Sequence, residues 1–321
     1  MSDAVAREVE RWGIHPDMIP MMEELEGVPA STGIEEERAT WTAFCQATNR
    51  PRPAGMVVRD STIPTDVWDI PVRLYRPAAA LDVSPVTLYI HGGGFMVGDL
   101  DTNDTVAWGL AEETGAVVLS THYRLAPENP FPAAHDDCYA VLCHLHDHAA
   151  DFGIDSTRIA VCGDSAGGNL AATVALAARD RGGPVLCGQA VLYPGFRTDG
   201  TLPSFTTYGE APLQSATATQ KYRKNYMPDP ASHTNPYACP LMTEHYGDLP
   251  PALIHVAAID AARDEGKLYA ERMAEAGCDV TYRLAEGMIH SFMRARFDGP
   301  AAEAEFRAVT DFLSCRLFGS A

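Results

Sequence analysis

Arg158-Ile159-Ala160-Val161-Cys162-Gly163-Asp164-Ser165-Ala166-Gly167-Gly168-Asn169-Leu170 is the stretch on which the fold turns. Its first five residues are a short apolar run of strand character, and residues 166–180 are helical in pattern, so the chain has to reverse sharply between them. Gly163 and Gly167, two positions either side of Ser165, let that turn close without clashes and leave the serine hydroxyl exposed at the head of a helix. The bare pattern Gly-x-Ser-x-Gly is only moderately specific. With 26 glycines and 13 serines in 321 residues, it should arise by chance in roughly 8% of chains of this composition. Its place at a strand-to-helix turn strengthens it. A tight turn with a helix-capping serine is the bland account of the same residues.

Short apolar runs alternate with helical stretches on both sides of this turn. Runs at 56–58 and 72–75 are β-rich. Strands are expected at 86–90, 116–120, 158–162, 188–192, 252–256 and 280–284, with helices near 103–114, 133–149, 166–180, 265–276 and 301–317 between or after them. Continuous apolar strands joined by helices mark an α/β protein with a mostly parallel sheet covered on both faces.

Two stretches depart from this alternation. Residues 1–50 hold amphipathic helical segments near 5–12, 16–25 and 33–48, and no strand. Residues 196–250 are rich in Thr, Tyr, Pro and Asn, with a helical patch near 215–226; a connection this long in a compact domain is usually functional. The expected organisation is an N-terminal helical cap segment at 1–50 and a catalytic domain at 51–321. Within the latter, 196–250 adds to a cap over the sheet's carboxyl edge, where open α/β sheets bind ligands. There are no internal repeats.

Composition narrows the function classes. Hydrophobic residues make up 46% and charged residues 21%, a globular balance that excludes fibrous or wholly disordered chains. The 43 acidic against 24 basic residues give a net charge of −19, so nucleic acids and anionic membranes meet repulsion. Lys221, Lys224 and Lys267 are the only lysines; genome composition or adaptation to salt accounts for that, and acidic surfaces mainly aid solubility. The N-terminus lacks the basic and apolar regions of a signal peptide, and no apolar stretch reaches about 18 residues, which reads as cytoplasmic. The eight cysteines are sparse and irregularly spaced, more like buried small hydrophobes than a disulfide framework.

His91-Gly92-Gly93-Gly94-Phe95 follows another expected core strand upstream of Ser165. Three glycines let the main chain approach a substrate carbonyl, and the amides of Gly93, Gly94 and Ala166 are the candidate donors to a developing oxyanion. A phosphate loop is excluded because no Lys-Ser/Thr follows and the dinucleotide spacing is absent. A merely flexible loop is the other account.

His91-Gly92-Gly93-Gly94, Tyr123-Arg124-Leu125-Ala126-Pro127-Glu128 with Phe131-Pro132-Ala133-Ala134, and Gly163-Asp164-Ser165-Ala166-Gly167-Gly168-Asn169-Leu170 together resemble the hormone-sensitive-lipase family of α/β-hydrolase esterases, in its bacterial GDSAG branch. The similarity runs over about residues 55–320. It implies an eight-stranded, mostly parallel sheet, a helical cap, and cofactor-free hydrolysis of small carboxylic esters with short or medium acyl chains. Family analogy alone suggests a homodimer. The resemblance also aligns Asp260-Ala261-Ala262-Arg263-Asp264-Glu265-Gly266 with the family's acid motif, where Ala-Ala replaces the usual Pro-Leu. Gly287-Met288-Ile289-His290-Ser291-Phe292 aligns with its base motif, where Ser291 replaces a common glycine.

A serine hydroxyl needs a base to remove its proton, and the base needs a carboxylate to fix its tautomer. Asp260 and His290 each follow an expected strand, so both would stand at the same sheet edge as Ser165, in the order Ser, Asp, His. Asp264 and Glu265 are rival acids, although carboxylates at a helix start also offset the macrodipole. The resulting expectation is a serine carboxylesterase. An amidase or lactonase would use the same machinery, and a small-ligand receptor on this scaffold is a further alternative, against which His290 speaks.

Other residues carry weaker signals. Cys138, Cys143, His144, His146 and His148 invite a metal reading, but no strong zinc signature completes the set, and an ordinary partly exposed helix explains them. Cys162 reads as core packing. Phe95, Met22, Trp41, Phe205 and Tyr208 are candidates to line a substrate pocket, with Met18, Met21 and Tyr226 beside them; ordinary helix packing explains them equally well. His122 stands where many relatives carry aspartate and receives no role.

Overall fold

The computed structural model describes residues 1–26, 31, 33–196 and 199–319; small parts of the expected cap segments at 27–30, 32 and 197–198 therefore lie outside the described residues. The strands are β1 (Val57–Ile63), β2 (Ile70–Arg76), β3 (Ser84–Ile90), β4 (Val117–Thr121), β5 (Ile154–Asp164), β6 (Leu186–Leu192), β7 (Ala252–Ile259) and β8 (Val280–Ile289). The helices are α1 (Asp3–Trp12), α2 (Ile19–Leu25), α3 (Ile34–Thr48), α4 (Asp104–Thr114), α5 (Ala133–Asp147), α6 (Ala149–Phe152), α7 (Ala166–Asp180), α8 (Pro203–Thr207), α9 (Ala216–Tyr226), α10 (Arg263–Glu275) and α11 (Pro300–Phe318).

One sheet holds all eight strands in the order β1-β2-β4-β3-β5-β6-β7-β8. The β1–β2 and β2–β4 pairs are antiparallel and the remaining pairs parallel, so the α/β fold read from the sequence is the observed one. Alternation along the strands sends successive residues to opposite faces. Leu88, Ile90, Ile159 and Val161 pack towards α5 and α7, whereas Tyr89, Ala160, Cys162 and Ala190 pack towards α4 and α11. Burial on both faces explains why these strands read as unbroken apolar runs. Cys162 is one of these core residues, and its burial raises the thiol pKa well above the ordinary value, which leaves it an inert thiol.

The helices of residues 1–50 are tied to the sheet by polar contacts. Asp17 accepts the amides of Ala301 and Ala302 at the start of α11, and the His15 amide donates to the Gly287 carbonyl of β8. Lys221 of α9 pairs with Glu37 of α3 at 2.6 Å. Ile34, Trp41 and Tyr222 from these two helices pack on Met96, Val97 and Ala126 beside the glycine loop. Among the described residues no disulfide joins the cysteines, and no helix is long and apolar enough to cross a membrane.

Candidate active site

Four strand ends deliver the site. Ile90, Asp164, Ile259 and Ile289 close β3, β5, β7 and β8, and the next residues are His91, Ser165, Asp260 and His290. Because Ile259 and Ile289 are register partners, Asp260 and His290 step off adjacent strands side by side.

Ser165 has φ 56° and ψ −118°, a strained conformation for a residue with a Cβ, of the kind that persists at functional turns at a cost of about 1–3 kcal/mol. The surrounding glycines make it reachable: a Cβ at Gly163 would collide with the Gly167 carbonyl, and one at Gly167 with the Ile90 carbonyl. Strand and helix can thus approach only through backbone.

His290 spans the two partners expected of it. Its Nε2 lies 2.7 Å from Ser165 Oγ and its Nδ1 lies 2.6 Å from Asp260 Oδ2. The other carboxylate oxygen of Asp260 accepts the Ala262 amide at 2.8 Å, and Tyr193 packs edge-on against the imidazole at 4.8 Å. Both His290 and Asp260 are buried, so the base is held in one orientation with its tautomer set by the carboxylate. The rival acids point elsewhere: Asp264 accepts the Ser204 amide, and Glu265 forms a buried ion pair with Arg223. Ser291 adopts φ 67°, the left-handed region that favours the glycine usual at this motif position.

Gly93 and Gly94 have φ 129° and 57°, conformations that only glycine adopts without strain. Among the described residues no hydrogen bond engages the amides of Gly93, Gly94 or Ala166, and these three residues line the two small cavities that flank Ser165. The loop is pinned from outside. Asp164 Oδ1 accepts the Gly92 amide at 3.0 Å and the Tyr89 hydroxyl at 2.7 Å, while the Tyr123 hydroxyl donates to the His91 carbonyl at 2.9 Å. Arg38 of α3 reaches the Met96 and Ala126 carbonyls and the Glu128 carboxylate. Neither Asp164 nor Arg38 was assigned a role from sequence, since their bonds join distant segments.

The pocket expectations divide. Phe95 lines one cavity at Ser165, together with Phe196, Met227 and Arg223; Trp41 lines the other, with Leu213, His290 and Ser291. Met22 does not reach either: it lines a separate cavity with Val5 and Leu25. Phe205 lies under the Arg223 guanidinium, and Tyr208 packs on Trp12 and Arg263. None of these three lines either cavity at Ser165. Tyr222 and Gln214, absent from the sequence expectation, line both cavities. A helix was legible near Tyr222, but which face would meet Ser165 depends on how that helix docks.

His122 stacks on His91 at 5.8 Å and lies near Trp68. Burial lowers its pKa, so the ring is neutral. It lines a cavity of about 710 Å³ with Arg38 and Arg124, apart from Ser165. His144 and His148 stack on one another at 4.2 Å at the end of α5.

Comparison with known proteins agrees with this geometry. A family profile described as alpha/beta hydrolase fold matches residues 87–294. Carboxylesterase NlhH of Mycobacterium tuberculosis is 41% identical over 249 residues, covering 76% of this chain and 78% of its own. An ethyl acetate hydrolase of Pseudomonas putida is 38% identical over 71% of this chain and 73% of its own. A thermostable esterase from Pseudomonas putida ECU1011 superposes with a TM-score of 0.89 at 30% identity, over 95% of this chain and 98% of that one. With its fold, strand-end site and relatives in agreement, the chain belongs to the α/β-hydrolase fold family, among the carboxylic ester hydrolases that resemble hormone-sensitive lipase.

Proposed function

We propose that the chain is a serine carboxylesterase acting on short acyl esters through an acyl-enzyme on Ser165. The observation that carries this reading is the His290 imidazole bridging Ser165 Oγ and Asp260. Ser165 attacks the ester carbonyl while His290 takes its proton, and Asp260 stabilises the imidazolium. The amides of Gly93, Gly94 and Ala166 hold the oxyanion, each such donor being worth about 2.7–4 kcal/mol of barrier. His290 protonates the departing alcohol, then activates the water that releases the acid.

The same step assigns the two cavities. The leaving oxygen has to come within reach of His290 Nε2, so the alcohol occupies the side lined by Trp41, Leu213 and His290. The acyl group occupies the side lined by Phe95, Ala166 and Met227. Each cavity is small, about 30 Å³, and this size supports short chains. The similarity to an ethyl acetate hydrolase points the same way. Helices α3 and α9, which carry Trp41 and Tyr222, act as the cap that sets this limit.

A chain-length series of p-nitrophenyl esters, with the matched anilide and lactone alongside, tests the reading on wild type and Ser165→Ala. Highest kcat/KM is expected on acetate to butanoate, with near-complete loss in the variant. Equal rates in the two proteins would refute the nucleophile.

A further inference from the structure

The acyl-side cavity is walled largely by Phe95, Phe196, Met227 and Ala238, yet two buried polar side chains also face it, Arg223 from α9 and Asn169 from α7. They are 7% and 2% exposed. Arg223 Nη2 donates to both oxygens of Glu265, at 2.6 and 2.7 Å, and the guanidinium lies 5.0 Å from the Phe205 ring centroid. Its Nη1 has no hydrogen-bond partner among the described residues. Asn169 Nδ2 donates to the carbonyls of Gly195 at 2.8 Å and Ala238 at 3.1 Å. Two carbonyl acceptors fix that end as the nitrogen, and the opposite atom, Oδ1, is left without a partner. The other polar pair at this wall is self-satisfied, because Gln214 Nε2 donates to Thr219 Oγ1 and Thr219 in turn donates to the Ser215 carbonyl.

Two residues that line one small cavity beside the nucleophile therefore carry a buried unpaired donor and a buried unpaired acceptor. Buried polar groups are costly unless something bonds them, and apolar residues would complete the wall if plain alkyl chains were all it met. A hydroxyl or a secondary amide accepts from one and donates to the other. A carboxylate fits poorly, since Glu265 already neutralises Arg223 and it has no proton for Asn169 Oδ1. Resting on the acyl-enzyme reading and the cavity assignment above, we propose that Arg223 and Asn169 select acyl groups bearing a neutral hydrogen-bonding substituent, a hydroxyl or an amide, over plain alkyl acyl groups of the same length.

The test compares p-nitrophenyl esters of 2-hydroxybutanoate, 3-hydroxybutanoate and N-acetylglycine with butanoate and pentanoate on the full chain, each kcat/KM divided by the hydroxide-catalysed rate of the same ester. At least one substituted ester is expected to exceed its alkyl counterpart about tenfold. Methylating its hydroxyl, which removes the donor, should cost part of the preference. Arg223→Met combined with Glu265→Gln leaves no buried unpaired charge and keeps an oxygen for the Phe196 amide, which Glu265 accepts; in this variant the ratio should fall to about one, whichever way the absolute rates move. No preference in wild type, a preference that survives in the double variant, or a preference for the anionic succinate half-ester would overturn the inference. Serine-dependent turnover of butanoate without any preference sinks this inference alone, whereas no Ser165-dependent turnover of any ester sinks the reading beneath it.

Discussion

The Asp164 carboxylate accepts the Gly92 amide at 3.0 Å, so the residue that precedes the nucleophile also anchors the loop carrying Gly93 and Gly94. The same oxygen accepts the Tyr89 hydroxyl at 2.7 Å, and the group is buried. On the proposed reading, Asp164 is thus a positioning residue that keeps serine and oxyanion donors in one frame. Asp164→Ala should lower kcat by about tenfold to a hundredfold, with KM changed far less, because losing the aim of an oxyanion donor acts on the transition state. Asp164→Asn, whose amide oxygen still accepts one bond, should recover part of the loss. Steady-state kinetics on butanoate ester decides it: a change confined to KM contradicts the positioning role.

The acid of the triad can be separated from its rivals by the same kinetics. Asp260 alone of the three carboxylates touches His290. Asp260→Asn presents an amide to Nδ1 and favours the wrong tautomer, and a drop of about 10⁴ in kcat is expected. Asp264→Asn, which affects contacts to the Ser204 amide and the Arg263 guanidinium but none to His290, should stay within about threefold. A larger loss from Asp264→Asn than from Asp260→Asn would reassign the acid.

How much of this was legible in the sequence follows from how local each signal is. The observed span of α7, Ala166–Asp180, is the one its pattern predicts, since apolar periodicity and the flanking turn are properties of consecutive residues. Strand β5 begins at Ile154, four residues before the expected 158, because Asp155, Ser156 and Thr157 are polar and are recruited by an edge contact between Ile154 and Ser84. Strand β8 likewise runs on to Ile289, through Glu286 and Gly287, held by pairing with β7. Site residues standing directly after core strands could be placed from order alone. The roles of Asp164, Tyr222 and Arg223 could not, since each depends on a contact with a segment far along the chain.

Two buried imidazoles should make the fold acid-sensitive before its carboxylates titrate. Desolvation lowers His91 and His135 to about 3, against about 6.5 in an unfolded chain. Between those values the unfolded state binds more protons, so stability is full above about pH 6.5 and falls as the pH drops below it. From pH 7.0 to 5.5 each imidazole should cost about 1 kcal/mol of unfolding free energy. Glu113, Asp136 and Asp298, raised by burial, act in the opposite direction but remain in any histidine variant. Urea unfolding of wild type and His135→Gln at the two pH values isolates the effect: wild type should lose about 1 kcal/mol more than the variant, and equal losses would show that His135 is not buried as a neutral ring.

On the proposed reading, Tyr222 sets how long an acyl chain the site accepts. Its ring lies over the glycine loop so closely that a Cβ at Gly94 would sit 2.5 Å from it, and it forms a wall of both cavities at Ser165. Burial lifts its phenol to about 12, so it stands as a neutral aromatic partition. Tyr222→Ala should join the two spaces and let longer acyl chains extend towards α9. Each methylene newly buried gains about 0.8 kcal/mol, so two buried methylenes would raise kcat/KM for octanoate relative to acetate by about tenfold or more. The oxyanion amides belong to the loop and not to the tyrosine, so acetate should still be hydrolysed in a Ser165-dependent manner. If the octanoate-to-acetate ratio stays at its wild-type value, the limit on chain length lies in the rigid wall of Phe95, Phe196 and Met227, and the cap helix has no part in it.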